Sequence, residues 1–550
     1  MASRRRGAVV SLIGLDVGST HVKAALVVPG RGVTHVARRV TVTHLTRGGG
    51  AFHKPEELLG AAESAIAECV VAADVAGGDV PDAIGVASMA EAGVPLDARS
   101  RTVGEIVAWF DPRPGPQADW LERQVGAPAL FARTGLRPEA KYTLSKLLWL
   151  RAERPSEFAR LRRWAGVAEL VAHRLTGELA TNASLACRTA AFNVAERRWD
   201  DELLALAGLE AAQMPQVLPL GRAVGGLGSA AAARVGLRAG TPVAIAGHDH
   251  LVGAIGAGVT QPGQALDSMG SAEVALLVTR RPILTEEARL AGFSTGCHAV
   301  DAMACVMGGL QASGAMVEWF VDRFLSPASD GRSSYRGSVG RDDPDRDDDP
   351  DRDDDPDRDD GHDPDRDGHD TGRDSRYARF LDLLDRAALG PAEPLVRPYL
   401  RGRTAPHHDL TASLEIAGLR ESHGLPDLAA ALVDGAAFHV RWMFEELGRV
   451  AGMAPERVRL IGGGTRNPRW LTAKAALGPG RMELVRTDEA VALGAALVAG
   501  VAAGTYESVP EALADAAPAD RVRVGAGLRS RYDTAYRDRW LPGVLATLRD

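Results

Sequence analysis

Asp249 stands in the run AGHDHLVG, residues 246–253, immediately after an apolar stretch, Pro242 to Ala246, that reads as a strand. An acid at the carboxyl end of a strand can take a proton from a bound hydroxyl. Some twenty residues on, LDSMGSAE (266–273) places Gly270 and Ser271 in a turn between two further strand-like runs, Gln264 to Asp267 and Glu273 to Val278. Successive backbone N–H groups in such a turn form an anion-binding concavity. A carboxylate beside a phosphate turn is the smallest set of parts for phosphoryl transfer. The same pattern occurs near the start of the chain. LDVGST (15–20) carries Asp16, Gly18, Ser19 and Thr20 between the runs Val9 to Leu15 and His21 to Val28, with Lys23 following. There the glycine admits a phosphate, the hydroxyls and Lys23 donate to it, and Asp16 can hold a hydrated magnesium ion. Two similar hairpins some 250 residues apart predict a duplicated architecture that grips phosphate from both sides.

Other residues suit a polyol. Glu91 follows a short strand, Ala83 to Ala87. Trp109, Asp111 and Arg113 end another, Ile106 to Phe110. Sugars need charged hydrogen-bonding groups together with an apolar face. Farther on, the strand Val458 to Ile461 runs into Gly462, Gly463 and Gly464, and Asn467-Pro468 opens the next helix. Three glycines between a strand and a helix let a flat base or a phosphate lie against the backbone.

These residues must be positioned by more than one core. A chain of 550 residues exceeds what a single hydrophobic core supports. Helices are predicted over Lys54–Ala73, Lys141–Glu153, Val167–Thr176, Trp199–Ala207, Leu251–Gly258, Gly314–Phe324, Asp427–Glu446 and Asp488–Gly504, and they alternate with the strands above in the manner of an α/β protein. Residues 326–376 differ from everything around them. DPDRDD is repeated in tandem, and residues 341–370 carry 17 Asp against 5 Arg, a net −12 that leaves +4 on the rest of a chain whose total is −8. Proline and like charge at that density predict a disordered loop, dispensable for activity. Asp363 to Asp374 matches the spacing of a calcium loop, but Asp374 replaces the bidentate Glu and no apolar helix leads in. The near-neutral remainder offers no basic field for nucleic acid. Four scattered cysteines predict buried thiols in a reducing compartment, and no run has the length of a membrane span.

Taken together, IGLDVGSTHVK (13–23), YTLSKLLWL (142–150), the Asp249 stretch, PYLRGRTAP (398–406), GLRESHGLPDLAAALVDGAAF (418–438), IGGGTRNPRW (461–470) and DEAVALGAAL (488–497) resemble the FGGY carbohydrate kinases, nearest their xylulose-kinase-like members. The resemblance implies an α/β, actin-like (ribonuclease H-like) ATPase fold with two similar domains around a central cleft. The domains fall at 8–246 and 247–510, the second interrupted by the acidic insertion, with 511–550 as a C-terminal extension. It implies ATP and Mg²⁺ as cofactors, a ketose or polyol as substrate with a primary hydroxyl as acceptor, a cytoplasmic location, and a dimer as a common assembly. Asp249 matches the catalytic base and Asp16 the acid near magnesium. Gly18, Ser19, Thr20 and Lys23 match the first phosphate loop, and Gly270 and Ser271 the second. Gly314, Gly463, Gly464 and Asn467 match the nucleotide site. His250 and Lys141 stand where the family contacts substrate. The second loop reads Gly-Ser-Ala instead of Gly-Thr-Ser, and Ser88, Met89 and Ala90 replace polar residues that read the substrate in relatives. A sensor that binds sugar and nucleotide without transfer is the alternative those changes allow.

Overall fold

A computed structural model describes residues 10–75, 80–325 and 371–548. The DPDRDD repeats and Asp363 to Asp370 of the calcium-loop match lie outside the described residues.

Two sheets with one pattern organise the chain. In the first, the order is Ala223–Gly226, Pro242–His248, Ile84–Ser88, Leu12–Val17, His21–Val28, Gly32–Val40. Leu12–Val17 and His21–Val28 form a hairpin, Gly32–Val40 extends it antiparallel, and Ile84–Ser88 and Pro242–His248 join in parallel on the other side. The second sheet repeats this. Gln264–Met269 and Glu273–Thr279 form the hairpin, Ala304–Leu310 extends it antiparallel, and Arg457–Ile461 and Arg481–Val485 join in parallel. The duplication expected from the two glycine turns is thus a duplication of whole sheets.

β-Branched and apolar residues fill these strands because both faces are covered. Pro55–Val75 lays Leu58, Leu59, Ala62, Ile66 and Cys69 into the first core, and Val167–Thr176 adds Val167, Leu170, Val171 and Leu175. A different surface joins the lobes. The helix Ala490–Ala502, AVALGAALVAGVA, follows the strand Arg481–Val485 of the second sheet but packs on the first, beside the helix Asp249–Gly256. A Cβ on Gly14 of the first strand would lie 1.7 Å from the carbonyl oxygen of Ala492, and one on Gly256 would lie 1.9 Å from that of Ala490. Only backbone-to-backbone contact fits there, which explains the run of small residues.

Several expected boundaries shift. The strand beginning at Pro242 continues to His248, so a division at 246/247 falls inside it. Ile106–Val107 is only two residues long, in a small side sheet with Gly93–Leu96 and Arg163–Gly166. Helix resumes at Thr371 (Thr371–Arg386), before the predicted end of the insertion at 376. Residues 511–550 are no appendage. Ala519–Arg521 adds an edge strand to the second sheet, and Tyr532, Tyr536, Trp540 and Val544 are buried in the core around the long helix Leu425–Ala451. All four cysteines are free and buried.

Candidate active site

Asp249 owes its place to a tightly held strand end. Gly247 has φ 130°, and a Cβ there would strike Ser184 Oγ at 2.3 Å. Asn182 donates through Nδ2 to the Ala246 carbonyl at 2.9 Å, and its Oδ1 caps the short helix Ala183–Ala186. Ser184 Oγ accepts the His248 N–H at 3.1 Å. Asp249 then begins the helix Asp249–Gly256, and its Oδ1 accepts the His250 N–H at 2.6 Å. His248 Nε2 lies 3.1 Å from the same oxygen. Burial raises the Asp249 carboxyl above its ordinary range, opposed by His250 and its N–H, assisted by Glu91 and opposed by Arg188.

Asp16, at the end of the first strand, is electrostatically coupled to Asp249. Loss of solvent, repulsion from Asp249 and then from Glu489 push its carboxyl up to about 7, with Lys23 opposing. Lys23 is not a free cation. Its ammonium pairs with Glu489 at 3.0 Å, which also takes Arg38 at 2.5 Å.

Both turns use the glycine amide, the first across residues 18–21 and the second across the tighter 270–272. The Gly18 N–H donates to His21 O at 3.0 Å, and the Gly270 N–H to Ala272 O at 3.1 Å. The glycine amides therefore build the turns. The N–H groups of Ser19, Thr20, Ser271 and Ala272, next in each turn, take no hydrogen bond among the described residues. The second turn seats the helix Gly314–Phe320: Gly314 N–H donates to Gly270 O at 3.0 Å, and Ser313 and Ala315 N–H both donate to Ser271 O at 3.0 Å. A Cβ on Gly314 would lie 2.6 Å from Gly270 O. Beneath the turn, Lys474 binds Asp267 at 2.8 Å and also Glu273, and Ser313 Oγ donates to Glu273 at 2.6 Å. All four are buried. Gly462 and Gly464 press on Met269 of the same hairpin, where their Cβ atoms would come within 2.7 and 2.9 Å. Gly463 is exposed. Asn467 is fully buried, with Oδ1 capping Pro468–Leu477 through the Trp470 N–H at 3.1 Å.

The sugar-side residues divide into two groups. Glu91 has a left-handed backbone, φ 64°, and its carboxylate accepts from Arg188 at 2.6 and 2.8 Å. Arg188 reaches Ser294 Oγ of the second lobe at 3.3 Å and lies over the Tyr142 ring at 5.4 Å. Lys141 lies over that ring too, at 5.1 Å, and pairs with Glu139 at 2.7 Å. Lys146 is buried and donates to the Glu91 carbonyl at 2.7 Å; burial brings its ammonium down to about 7, against Glu91 and Asp111. Glu91, His250 and Asp249 thus share one neighbourhood, with Lys141 at its edge. Asp111 and Arg113 instead pair with each other at 2.5 Å, Arg113 stacks on Trp149 at 4.5 Å, and Trp109 meets Phe110 edge-on. Among the described residues no hydrogen bond or ion pair joins these three to Asp249, but Asp111 acts on the same Lys146 that bonds Glu91. Arg188, Lys146, Glu489 and Lys474 were not singled out by sequence. Each is a buried or half-buried ion whose partner is distant in the chain, and no local pattern marks it. His248 was visible only as a flank of Asp249.

The model for the FGGY family of carbohydrate kinases, N-terminal domain, matches residues 11–256, and that for its C-terminal domain matches 265–503. The chain belongs to the FGGY family of carbohydrate kinases. Among its relatives, a xylulose kinase of Bacillus subtilis (strain 168) is 25% identical over 501 residues, covering 91% of this chain and 90% of that protein. The solved structure of xylulose kinase from Rhodospirillum rubrum superimposes with a TM-score of 0.79 at 24% identity, covering 98% of this chain and 99% of that one. Gluconate kinase from Lactobacillus acidophilus gives 0.80 at 19%, over 96% of each chain. The fold is accordingly the actin-like ATPase fold, and the enzyme is an ATP-dependent carbohydrate kinase. None of these likenesses supports a sensor without transfer. The N-terminal match takes in Asp249, which the sequence reading assigned to the second domain.

Proposed function

We propose that this kinase transfers the γ-phosphoryl group of ATP to a primary hydroxyl of a xylulose-like ketose or a polyol, with Asp249 as proton acceptor. One observation carries the reading. Asp249 directly follows a parallel strand of the first sheet, coupled to Asp16 at the first glycine turn on one side and to the Glu91–Arg188 pair on the other. A hydroxyl bound between the two sides can donate to Asp249 while facing a phosphate. A carboxylate is too weak to ionise an alcohol beforehand. It orients the hydroxyl and takes the proton as the O–P bond forms. Partial burial makes Asp249 a better acceptor than an exposed Asp. The outward N–H groups of Ser19, Thr20, Ser271 and Ala272 would hold the phosphates from both lobes, and the hydroxyls of Ser19, Thr20 and Ser271 would add to them.

Asp16 fits a hydrated Mg²⁺. Burial first, then the carboxylates of Asp249 and Glu489, raise the Asp16 pKa against Lys23 as partial counter-charge, and a divalent cation would relieve that rise. Bound there, the ion would neutralise phosphate charge.

The xylulose-like assignment follows the names of full-length relatives, together with a pocket whose cations are already paired: Arg188 to Glu91, Lys141 to Glu139. Neither cation is left over for a sugar-acid carboxylate. The test is coupled ADP release against ketoses, polyols and sugar acids. Turnover with a five-carbon ketose or a polyol is the expected result. Turnover with sugar acids alone overturns the substrate class, and ADP release independent of any sugar overturns the acceptor.

A further inference from the structure

One side chain from outside the second hairpin is bonded to both of its strands. Lys474 stands in the helix Pro468–Leu477, which opens just after the glycines that press on Met269. Its ammonium donates to Asp267 Oδ2 in the first strand at 2.8 Å and to Glu273 Oε1 in the second. Glu273 is the first residue of that second strand, paired across the turn with Met269. Its other oxygen, Oε2, accepts from Ser313 Oγ at 2.6 Å, and the Ser313 N–H donates to Ser271 O in the turn itself at 3.0 Å. Lys474, Asp267, Glu273 and Ser313 are each at most 2% exposed, so no bulk water competes for these bonds. Among the described residues no other cation pairs with either acid, and Asp267 Oδ1 is buried without a partner. Packing alone calls for an apolar side chain at such a place. A buried ion pair is weak evidence for stability, and its best-attested use is to fix one register against others.

We propose that Lys474 is a positioning residue of the phosphoryl transfer, which ties both strands of the second hairpin to the helix Pro468–Leu477 and so fixes where the Ser271 and Ala272 amides meet the nucleotide. The proposal rests on the reading of that turn as a phosphate site. Lys474 acts through the turn and not on the substrate. The amides of residues 313–315 hold the turn's carbonyls from one side, and Lys474 holds the strands that carry it. An ammonium has three donors, so one side chain can serve both strands at once. Bonds from a cation to a carboxylate are short and roughly twice as strong as neutral ones. Burial works against the charge, but Asp267 and Glu273 outweigh it and keep the ammonium above its ordinary pKa. The tie is therefore intact at neutral pH.

The experiment uses the full chain and the best acceptor from the substrate panel. Lys474→Met should lower kcat/KM for ATP by about 10²-fold, the cost of a phosphate site displaced by about 1 Å. The Kd for sugar, from calorimetry without nucleotide, should change by no more than about threefold. Should Lys474→Met fail to fold, a second pair of variants decides. Glu273→Gln keeps an oxygen for Lys474 and Glu273→Met does not, while Lys474 and Asp267 remain a balanced pair in both. Glu273→Gln should stay within about threefold of the parent in kcat/KM for ATP, and Glu273→Met should fall at least about tenfold below it. Parental kcat/KM for ATP in Lys474→Met overturns the proposal, as does an equal loss of sugar affinity, or a Glu273→Met enzyme indistinguishable from Glu273→Gln. The phosphate reading is checked separately, by the amide ¹⁵N shifts of Ser271 and Ala272 in the unaltered protein on adding Mg²⁺ and ADP. If they do not respond, the reading of the turn falls and the proposal with it. If they respond while Lys474→Met keeps parental kcat/KM for ATP, the proposal alone falls.

Discussion

Asp249 is a modest base placed with unusual care, and its replacement separates chemistry from binding. Asp249→Asn keeps the shape and the hydrogen bond from His250 but cannot accept the proton. Turnover should fall by about 10²–10⁴-fold while ATP still binds, measured by steady-state kinetics and calorimetric titration. Near-parental turnover would remove Asp249 from the mechanism. Asp16 yields a prediction about pH. Its carboxyl titrates near 7, and only the ionised form binds a cation. Below that value a proton competes with Mg²⁺, so half-saturating Mg²⁺ should rise roughly tenfold for each unit of pH below about 7 and level off above it. A requirement that stays flat from pH 6 to 8 would place the ion elsewhere. Asp16 and Asp249 could be read from sequence because each sits beside a strand end with glycine nearby, a local pattern. Arg188 and Glu489 could not, because what defines them is a partner 97 residues away in one case and 466 in the other.

Among the elements, the second hairpin illustrates how a loop is held in place by its surroundings. Its turn is exposed, yet its carbonyls are tied to the amides that begin Gly314–Phe320, and a buried lysine with two carboxylates lies underneath. Gly314 was expected to matter as a nucleotide contact, and the geometry shows a separate reason for glycine. A side chain there would push against the Gly270 carbonyl. Gly314→Val should therefore displace the turn and lower kcat/KM for ATP by about 10²-fold, the cost of a shift near 1 Å, with a smaller change in KM for sugar. An equal loss for both substrates would mean a general fold defect. Strands and helices were largely legible because alternation and helical spacing are short-range signals. What was not legible lies where tertiary contact decides. Ile106–Val107 is only two residues long in a small side sheet, and the buried cap that Asn467 makes has no mark in its spacing.

For the whole molecule, length and the two matching turns predicted a duplicated architecture, and the resemblance to the FGGY carbohydrate kinases implied the kinase. The last forty residues, read as an extension, pack into the second lobe, and aromatics spaced along a helix near a terminus do not announce what they cover. Tyr532, Tyr536 and Trp540 stack around Phe438 in the core of the second lobe. Loss of a buried aromatic side chain costs about 3–5 kcal/mol, and a domain has only about 5–15 to lose. A chain ended at residue 510 should not fold, which circular dichroism and solubility on expression would reveal. A soluble, cooperative fragment would show that these aromatics are replaceable.

The Ala490–Ala502 helix has a further bearing on engineering. It is encoded with one half of the enzyme and fitted to the other, like an axle cast with one wheel and turned in the hub of its mate. Hybrids made by exchanging halves between two relatives should fail when the crossover lies between residues 256 and 265, however well each half is preserved, because Gly14 and Gly256 would meet a stranger's backbone. A graft that carries 490–502 along with residues 11–256 keeps that bearing intact.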